Sequence, residues 1–235
     1  MLRLARLMMW FWIGLIHKRV GFLKFSFIFV KKLSNMANAV GSLELKYAAP
    51  KAVEPRRMTF AAFYKKYIDP GESAVEGFKY EFCNGIIEKT SSMNRKELFI
   101  IEHLTDLFYQ IKHKVGGTVV NELETWTSAT QWRRPDWAYV TKEQIRLGKD
   151  DKAIVPEFMV EIISKNDDTL VVQKKVYEYF NVGVKVLWLI FPKLKVVHVY
   201  TSTKNITVCE ADDDICSGAP VLMDFNITIS DLFKE

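Results

Sequence analysis

One carboxylate interrupts the most continuous apolar, strand-like segment of this chain. Glu161 lies within the run Phe158-Met159-Val160-Glu161-Ile162-Ile163, which Pro156 introduces. A short run of this kind is typical of a central β-strand that is covered on both faces. An unpaired carboxylate in such a strand costs several kcal/mol or becomes protonated, so Glu161 needs a cation beside it. That cation is an arginine, a lysine or a metal ion, and a purely structural ion pair is therefore the competing explanation.

Helix and strand signals alternate around this segment. Thr59 can cap a short helix over FAAFYKKYI, Asn94 and Glu97 form a capping-box-like start to a longer helix, and a third helix is predicted from about Thr169 to Asn181. The buried stripe of the longer helix is predicted to be Leu98, Ile101, Leu104, Phe108, Ile111 and Val115. The alternation predicts an α/β domain with a mixed sheet, from Met58 to Glu235.

A hairpin signal brings two glutamates face to face. Asn84-Gly85 stands between apolar flanks, and a two-residue turn there places Glu81 opposite Glu88. Directly opposed like charges are destabilising unless a positive charge lies nearby. The pair therefore belongs to a charged site, or else consists of two solvated glutamates at a sheet edge.

Asp136 is the natural second carboxylate for Glu161. Arg134-Pro135-Asp136 opens an extended segment, and pairing of that segment beside the Glu161 strand makes the two carboxylates converge at one sheet edge. Two carboxylates and a backbone carbonyl, such as that of Ile162, suit a magnesium ion that keeps several waters. The alternative for Asp136 is a turn-capping aspartate.

Lys175 can supply positive charge to the same point. It lies on the predicted helix that follows the Glu161 strand, from which it can reach back to the strand end. There it can stabilise charge at a phosphate or at the attacking water. Lys174 points about 100° away around the helix, so only one of the two faces the site. A solvated surface lysine is the alternative for either.

The net charge of +5 does not indicate a nucleic-acid-binding surface. Residues 1–35 hold seven basic residues and no acidic one, whereas the rest of the chain has 26 basic and 28 acidic residues. Any DNA contact must therefore come from a local patch. The three cysteines, Cys83, Cys209 and Cys216, form no CxxC pair. Their spacing predicts reduced thiols in a cytoplasmic protein rather than a disulfide framework or a zinc ribbon.

Residues 1–35 form a basic, hydrophobic N-terminal extension, and residues 36–57 are interpreted as a linker. The apolar runs 7–16 and 20–30 are each shorter than the roughly 18–20 residues that span a bilayer. Three interpretations remain open for the extension. It is a non-native start, with translation beginning at Met36 or Met58, or a membrane-surface helix, or a secretory signal. Membrane contact is not the favoured one.

An ordered series of motifs resembles the Uma-two family of restriction endonucleases, within the PD-(D/E)xK nuclease superfamily. The series comprises Arg134-Pro135-Asp136, Val160-Glu161-Ile162-Ile163-Ser164, Lys175 with Tyr179, Gly183-Val184 and Trp188. The resemblance extends outward to Thr59-Phe60, to Tyr80-Glu81 with Gly85, and to Ile229-Ser230-Asp231-Leu232-Phe233. It therefore covers about three quarters of the chain and leaves out the extension.

The resemblance implies a restriction-endonuclease-like fold, in which helices flank a central mixed sheet. It implies that Asp136 and Glu161 bind Mg²⁺, for which Mn²⁺ can substitute, and that Lys175 is the superfamily lysine, here placed on the helix. Glu81 matches a glutamate found near the site in the family. The implied reaction is hydrolysis of DNA phosphodiester bonds by metal-activated water. Cleavage of both strands with one site per chain favours a homodimer.

Three departures from the family pattern keep other functions open. Lys165 stands in place of a proline, Phe191 replaces the aspartate before Pro192, and Lys96-Glu97-Leu98 stands where the long helix begins with a histidine in the family. None removes the trio of Asp136, Glu161 and Lys175. One alternative is a weakly active or inactive member that serves as a nucleic-acid-binding or protein-interaction module. Another is a membrane-associated protein that uses residues 1–35.

Overall fold

The computed structural model describes residues 57–69, 78–148 and 154–234, which belong to one compact unit. The predicted extension over residues 1–35, and the predicted linker except for Arg57, lie outside the described residues. The domain boundaries therefore stay predictions. No helix in the described ranges is long and apolar enough to cross a membrane. The three cysteines are free thiols, and all three are buried.

Helices and strands alternate along the described part of the chain. The helices are α1 (Phe60–Tyr67), α2 (Arg95–Val115), α3 (Lys142–Gly148), α4 (Thr169–Asn181) and α5 (Ile229–Leu232). The strands are β1 (Phe78–Cys83), β2 (Ile86–Ser91), β3 (Thr118–Val120), β4 (Thr125–Ser128), β5 (Gln131–Arg133), β6 (Trp137–Val140), β7 (Phe158–Ile162), β8 (Val186–Phe191), β9 (Val196–Tyr200), β10 (Ile206–Cys209), β11 (Ile215–Ser217) and β12 (Asn226–Thr228).

The central sheet is mixed, as the sequence predicts. Its six strands lie in the order β10-β9-β8-β7-β6-β3, and β7 and β8 are parallel while the other neighbours are antiparallel. Helix α4 makes the crossover that two parallel strands need. A second, antiparallel sheet has the order β2-β1-β5-β4, and β11 pairs with β12. The predicted α/β class with a mixed sheet between helices is confirmed.

Strand β7 is covered on both faces, which explains its almost continuous apolar sequence. Phe158, Val160 and Ile162 belong to the core cluster that includes the buried face of α2. Met159 belongs to the cluster on the other face, together with Val172, Val176 and Tyr179 of α4. Because side chains alternate along a strand, Glu161 lies on the α4 face.

Both predicted helix starts are confirmed, but one residue of the predicted buried stripe is wrong. Thr59 caps α1, and Asn94 and Glu97 form a complete capping box at the start of α2. Leu98, however, is 56% exposed, whereas Ile100 is buried. At 100° per residue, Leu98 is rotated by about 120° from Leu104, while Ile100 lies within about 40° of it. The core face of α2 therefore begins at Glu97 and Ile100.

Strand β1 has a small hydrophobic core on one face and charged side chains on the other. Tyr80 and Phe82 pack with Phe63 of α1 in one buried cluster. Lys79 and Glu81, which alternate with them, therefore point to the opposite face of β1. The hairpin at Asn84-Gly85 is confirmed, and Glu81 lies directly opposite Glu88.

The segment around Asp136 carries the chain from one sheet to the other. The chain turns between Ser128 and Gln131, and β5 pairs with β4 and with β1. The chain then leaves the four-stranded sheet at Arg133 and enters the six-stranded sheet at Trp137. Asp136 therefore lies at the junction of the two sheets.

Candidate active site

A cleft of about 240 Å³ opens at this junction. It is lined by charged side chains from both sheets and from α4, among them Lys79, Glu81, Asp136, Glu161 and Lys175. Each of these five residues is less than 10% exposed. The four side chains that the sequence singles out, Asp136, Glu161, Lys175 and Glu81, are thus brought together in one place.

The Asp136 side chain accepts a hydrogen bond from the backbone at the end of the Glu161 strand. Trp137 pairs with Val160 across β6 and β7, so Asp136 lies next to Glu161 at the edge of that pairing. Its Oδ2 accepts the Ile162 N–H at 2.6 Å, and its Oδ1 accepts a hydrogen bond from Lys79 Nζ at 2.6 Å. The two carboxylates therefore converge from adjacent strands of one sheet.

Glu161 is held by two side chains of α4. Its Oε1 accepts a hydrogen bond from the Tyr179 hydroxyl at 2.5 Å and lies 3.3 Å from Lys175 Nζ. Lys79 Nζ lies 3.9 Å from Oε2. Burial raises the pKa of the Glu161 carboxyl above its ordinary value, and the nearby lysines only partly counteract this.

Glu81 and Lys175 form the other close ion pair of the cleft. Lys175 Nζ lies 2.8 Å from Glu81 Oε2, and Glu81 Oε1 accepts the Arg134 N–H at 2.9 Å. Burial favours the neutral form of Glu81, but Lys175, Lys79 and Arg133 outweigh it and lower the pKa to about 2. Burial also disfavours charged Lys175, yet Glu161 and Glu81 raise its pKa above the ordinary lysine value. Lys175 is therefore a fixed positive charge at neutral pH.

Two cations that contact the acids of the cleft are not predicted from the sequence. Lys79 is one, and its only signal is its position two residues before Glu81, which places both on the same face of β1. Arg133 is the other; it is fully buried and contacts both Glu81, at 3.2 Å, and Glu88. The positive charge that the facing glutamates require is thus Arg133, with Lys175 beside it.

The oxygen atoms around Lys79 are of the kind that a hard divalent cation prefers. The ammonium contacts Asp136 Oδ1, the Arg134 carbonyl oxygen at 3.0 Å, and lies near Glu161 Oε2. Within the described ranges, no three His, Cys, Asp or Glu side chains form a ready-made metal cluster. Mg²⁺ is commonly held by only one or two carboxylates and several waters, so this donor set fits it.

Comparisons with known proteins show the family and the fold. Residues 67–230 match the Uma2 family model, described as "Putative restriction endonuclease". A crystal structure of a putative nuclease belonging to DUF820, from Anabaena variabilis ATCC 29413, superposes with a TM-score of 0.62 at 20% identity, and the alignment covers 75% of this chain and 97% of that one. At 20% identity this structural similarity shows that the two proteins share a fold, and no more than that. No match was found among curated proteins.

The family match covers more than half of the chain and includes Asp136, Glu161 and Lys175. It confirms the resemblance stated from the motifs, and it supports nuclease activity in general. The chain belongs to the Uma2 family of putative restriction endonucleases.

Proposed function

We propose that this protein is a metal-dependent endonuclease that hydrolyses phosphodiester bonds of DNA. The observation that carries the proposal is the position of Asp136 at the end of β7. There the Asp136 carboxylate lies beside Glu161 and accepts the Ile162 N–H. The site lies in a cleft and is flanked by a buried lysine, Lys175. Convergent carboxylates that can hold a divalent ion, with a positively charged side chain beside them, suit the hydrolysis of a phosphodiester.

Asp136 and Glu161 would hold the divalent ion, together with the backbone carbonyl of Ile162. In an extended strand the N–H and C=O of one residue point to the same side, so the Ile162 carbonyl faces the edge at which its N–H meets Asp136. When bound, Mg²⁺, or Mn²⁺ in its place, supplies polarisation of the attacking water and of the phosphate. Tyr179 orients the Glu161 carboxylate through its hydroxyl.

Lys175 is proposed to stabilise negative charge on the scissile phosphate. Its raised pKa keeps the ammonium charged at neutral pH, which suits an electrostatic role and not that of a general base. Glu81 is a positioning residue in this proposal, because it contacts Lys175 at 2.8 Å and is itself held by the Arg134 N–H. The two acids that contact Lys175 thus fix the position of its charge.

Cleavage of supercoiled plasmid DNA tests the proposal. Purified wild-type protein should cleave with Mg²⁺ or Mn²⁺ and not with EDTA, and Asp136→Asn and Glu161→Gln should abolish cleavage. Glu157→Gln is a matched control, since Glu157 directly precedes β7 and pairs with Lys185. If folded wild type is as inert as both variants with either metal, the enzyme proposal is wrong.

An inactive binding module is the second candidate, and one observation favours it. The acids of the cleft already have protein cations as partners, so the site is stable without a metal ion. Metal-independent DNA binding without cleavage, unchanged by Asp136→Asn, would support this candidate.

The remaining proposals concern assembly and location. A homodimer would allow one site per chain to cut both strands, and sedimentation of the active protein tests this. A cytoplasmic location is proposed from the cysteine content. Fractionation of cells that express chains starting at Met1 or at Met36 tests it, and it also tests whether residues 1–35 contact a membrane. Such contact would be shown if the chain that starts at Met1 is recovered with the membranes and the chain that starts at Met36 is not.

A further inference from the structure

Lys79 is a buried lysine whose ammonium lies among the oxygens of the proposed metal site. Nζ donates to Asp136 Oδ1 at 2.6 Å and to the Arg134 carbonyl oxygen at 3.0 Å, and it lies 3.9 Å from Glu161 Oε2. The Asp136 and Glu161 carboxylates are therefore no farther apart than the sum of the two distances to Nζ. One cation thus bridges the two acids on which the proposed function depends.

The physical reason for this arrangement is charge compensation among buried side chains. Asp136 and Glu161 are 5% and 3% exposed, and Lys79 is 8% exposed. Buried carboxylates without a cation are costly, and here the cation comes from β1 of the four-stranded sheet. The alternation of β1 places Lys79 on the same face as Glu81 and directs it into the cleft.

Lys79 and a divalent ion need the same atom. Asp136 Oδ2 accepts the Ile162 N–H and Oδ1 contacts Lys79, so an ion that binds through Oδ1 would share that oxygen with the ammonium. A divalent ion at Oδ1 would lie within a few ångströms of the ammonium. At that separation, in a buried site, repulsion between the two cations is strong.

We propose that Lys79 is an internal competitor of the divalent ion, which must displace the ammonium from Asp136 in order to bind. This inference rests on the proposed function in one respect, which is that Asp136 and Glu161 bind the metal ion. The affinity of the protein for metal in the absence of DNA is therefore lower than its oxygen ligands alone would give. Removal of the ammonium leaves the two carboxylates without their bridging cation, and a divalent ion should then take its place.

Calorimetric titration of the full chain with Mn²⁺ in the absence of DNA tests the inference. Lys79→Met should bind Mn²⁺ at least about tenfold more tightly than wild type, because a competing interaction of about 1.4 kcal/mol or more is removed. Lys89→Met is the matched control, since Lys89 is an exposed lysine that lines the same cleft. It should bind as wild type does. The double variant Lys79→Met with Asp136→Asn should lose the gain.

Thermal unfolding gives a second readout that does not depend on activity. Lys79→Met should unfold at a lower temperature than wild type without metal, and Mg²⁺ should raise its Tm by more than it raises that of wild type. Equal or weaker Mn²⁺ binding by Lys79→Met overturns the inference. So does a variant that is unfolded without metal and stays unfolded when Mn²⁺ is added, because the ion then does not replace the ammonium.

The outcome can be separated from that of the proposed function. If wild type cleaves DNA with Mg²⁺ but Lys79→Met does not bind metal more tightly, the function stands and the competition is wrong. If wild type is inert but Lys79→Met gains affinity that Asp136→Asn removes, the competition stands and the nuclease proposal is wrong.

Discussion

Arg133 and Glu178 form a buried, bidentate ion pair that joins the four-stranded sheet to α4. Arg133 Nε lies 2.7 Å from Glu178 Oε2, and Nη2 lies 3.0 Å from Oε1. Arg133 ends β5, whereas Glu178 stands on the helix that carries Lys175 and Tyr179. The helix that supplies the lysine of the cleft is therefore anchored to the sheet that supplies Glu81.

Arg133→Met is expected to destabilise the protein strongly. It leaves the carboxylates of Glu81, Glu88 and Glu178 without their shared cation, and breaking a buried ion pair in this way costs about 3–5 kcal/mol. Urea unfolding followed by tryptophan fluorescence measures the change. Arg146→Met is the control, because Arg146 pairs with Glu143 on the exposed face of α3. A wild-type midpoint for Arg133→Met would contradict the expectation.

Asp136→Ala and Asp136→Asn should separate the structural role of Asp136 from its proposed metal role. The alanine variant removes the close ion-pair partner of the buried Lys79 ammonium and the acceptor of the Ile162 N–H, at an expected cost of about 3–5 kcal/mol in the free energy of unfolding. Asparagine retains an acceptor oxygen, so its cost should be smaller. Both should lose Mn²⁺ binding by calorimetry. Undiminished Mn²⁺ binding by Asp136→Asn would exclude Asp136 as a ligand.

Lys175→Met and Lys174→Met are adjacent substitutions with different expected effects. Lys175 contacts Glu81 and Glu161, whereas Lys174 contacts Cys83 and Glu178 outside the proposed metal site. Loss of a charge-stabilising group lowers kcat by about 10²–10³-fold, so Lys175→Met should be nearly inactive. Lys174→Met should retain most of the plasmid cleavage. Equal losses would assign the effect to the helix as a whole.

The pH dependence of stability should show the contribution of Glu81. Its folded-state pKa of about 2 lies below the ordinary value of 4.5, so the folded state binds this proton less tightly than the unfolded state does. The ionised carboxylate therefore stabilises the fold above about pH 4.5, and that contribution is lost as the pH falls towards 2.

Glu81→Gln measures the net contribution of the Glu81 charge, because that charge also helps to raise the pKa of Glu161, which acts in the opposite direction. Glu81→Gln should be less stable than wild type at neutral pH, and the difference should shrink between about pH 5 and pH 2. Asp224→Asn, at a half-exposed pair with Lys114, is the control. A difference in stability that stays constant across this pH range would show that the ion pairs do not lower the pKa of Glu81.

Local patterns explain why much of the fold could be predicted. The capping box at Asn94, the Asn84-Gly85 turn and the apolar run around Glu161 each depend on residues close together in the chain. Short elements were less predictable. Strand β5 is three residues long, and its pairing with β1 involves residues about fifty positions away. Neither periodicity nor turn chemistry indicates a contact of that kind.

For the site, the sequence by itself determined that Glu161 needs a cation, because a carboxylate within an apolar strand cannot remain charged alone. It also determined that Glu81 faces Glu88, because a two-residue turn sets the register. Only the tertiary structure decided that Lys79 and Arg133 neutralise these acids together with the predicted Lys175. Lys79, Arg133 and Lys175 are separated from their partners by up to about a hundred residues, and ion pairs between distant segments depend on how two sheets and a helix pack.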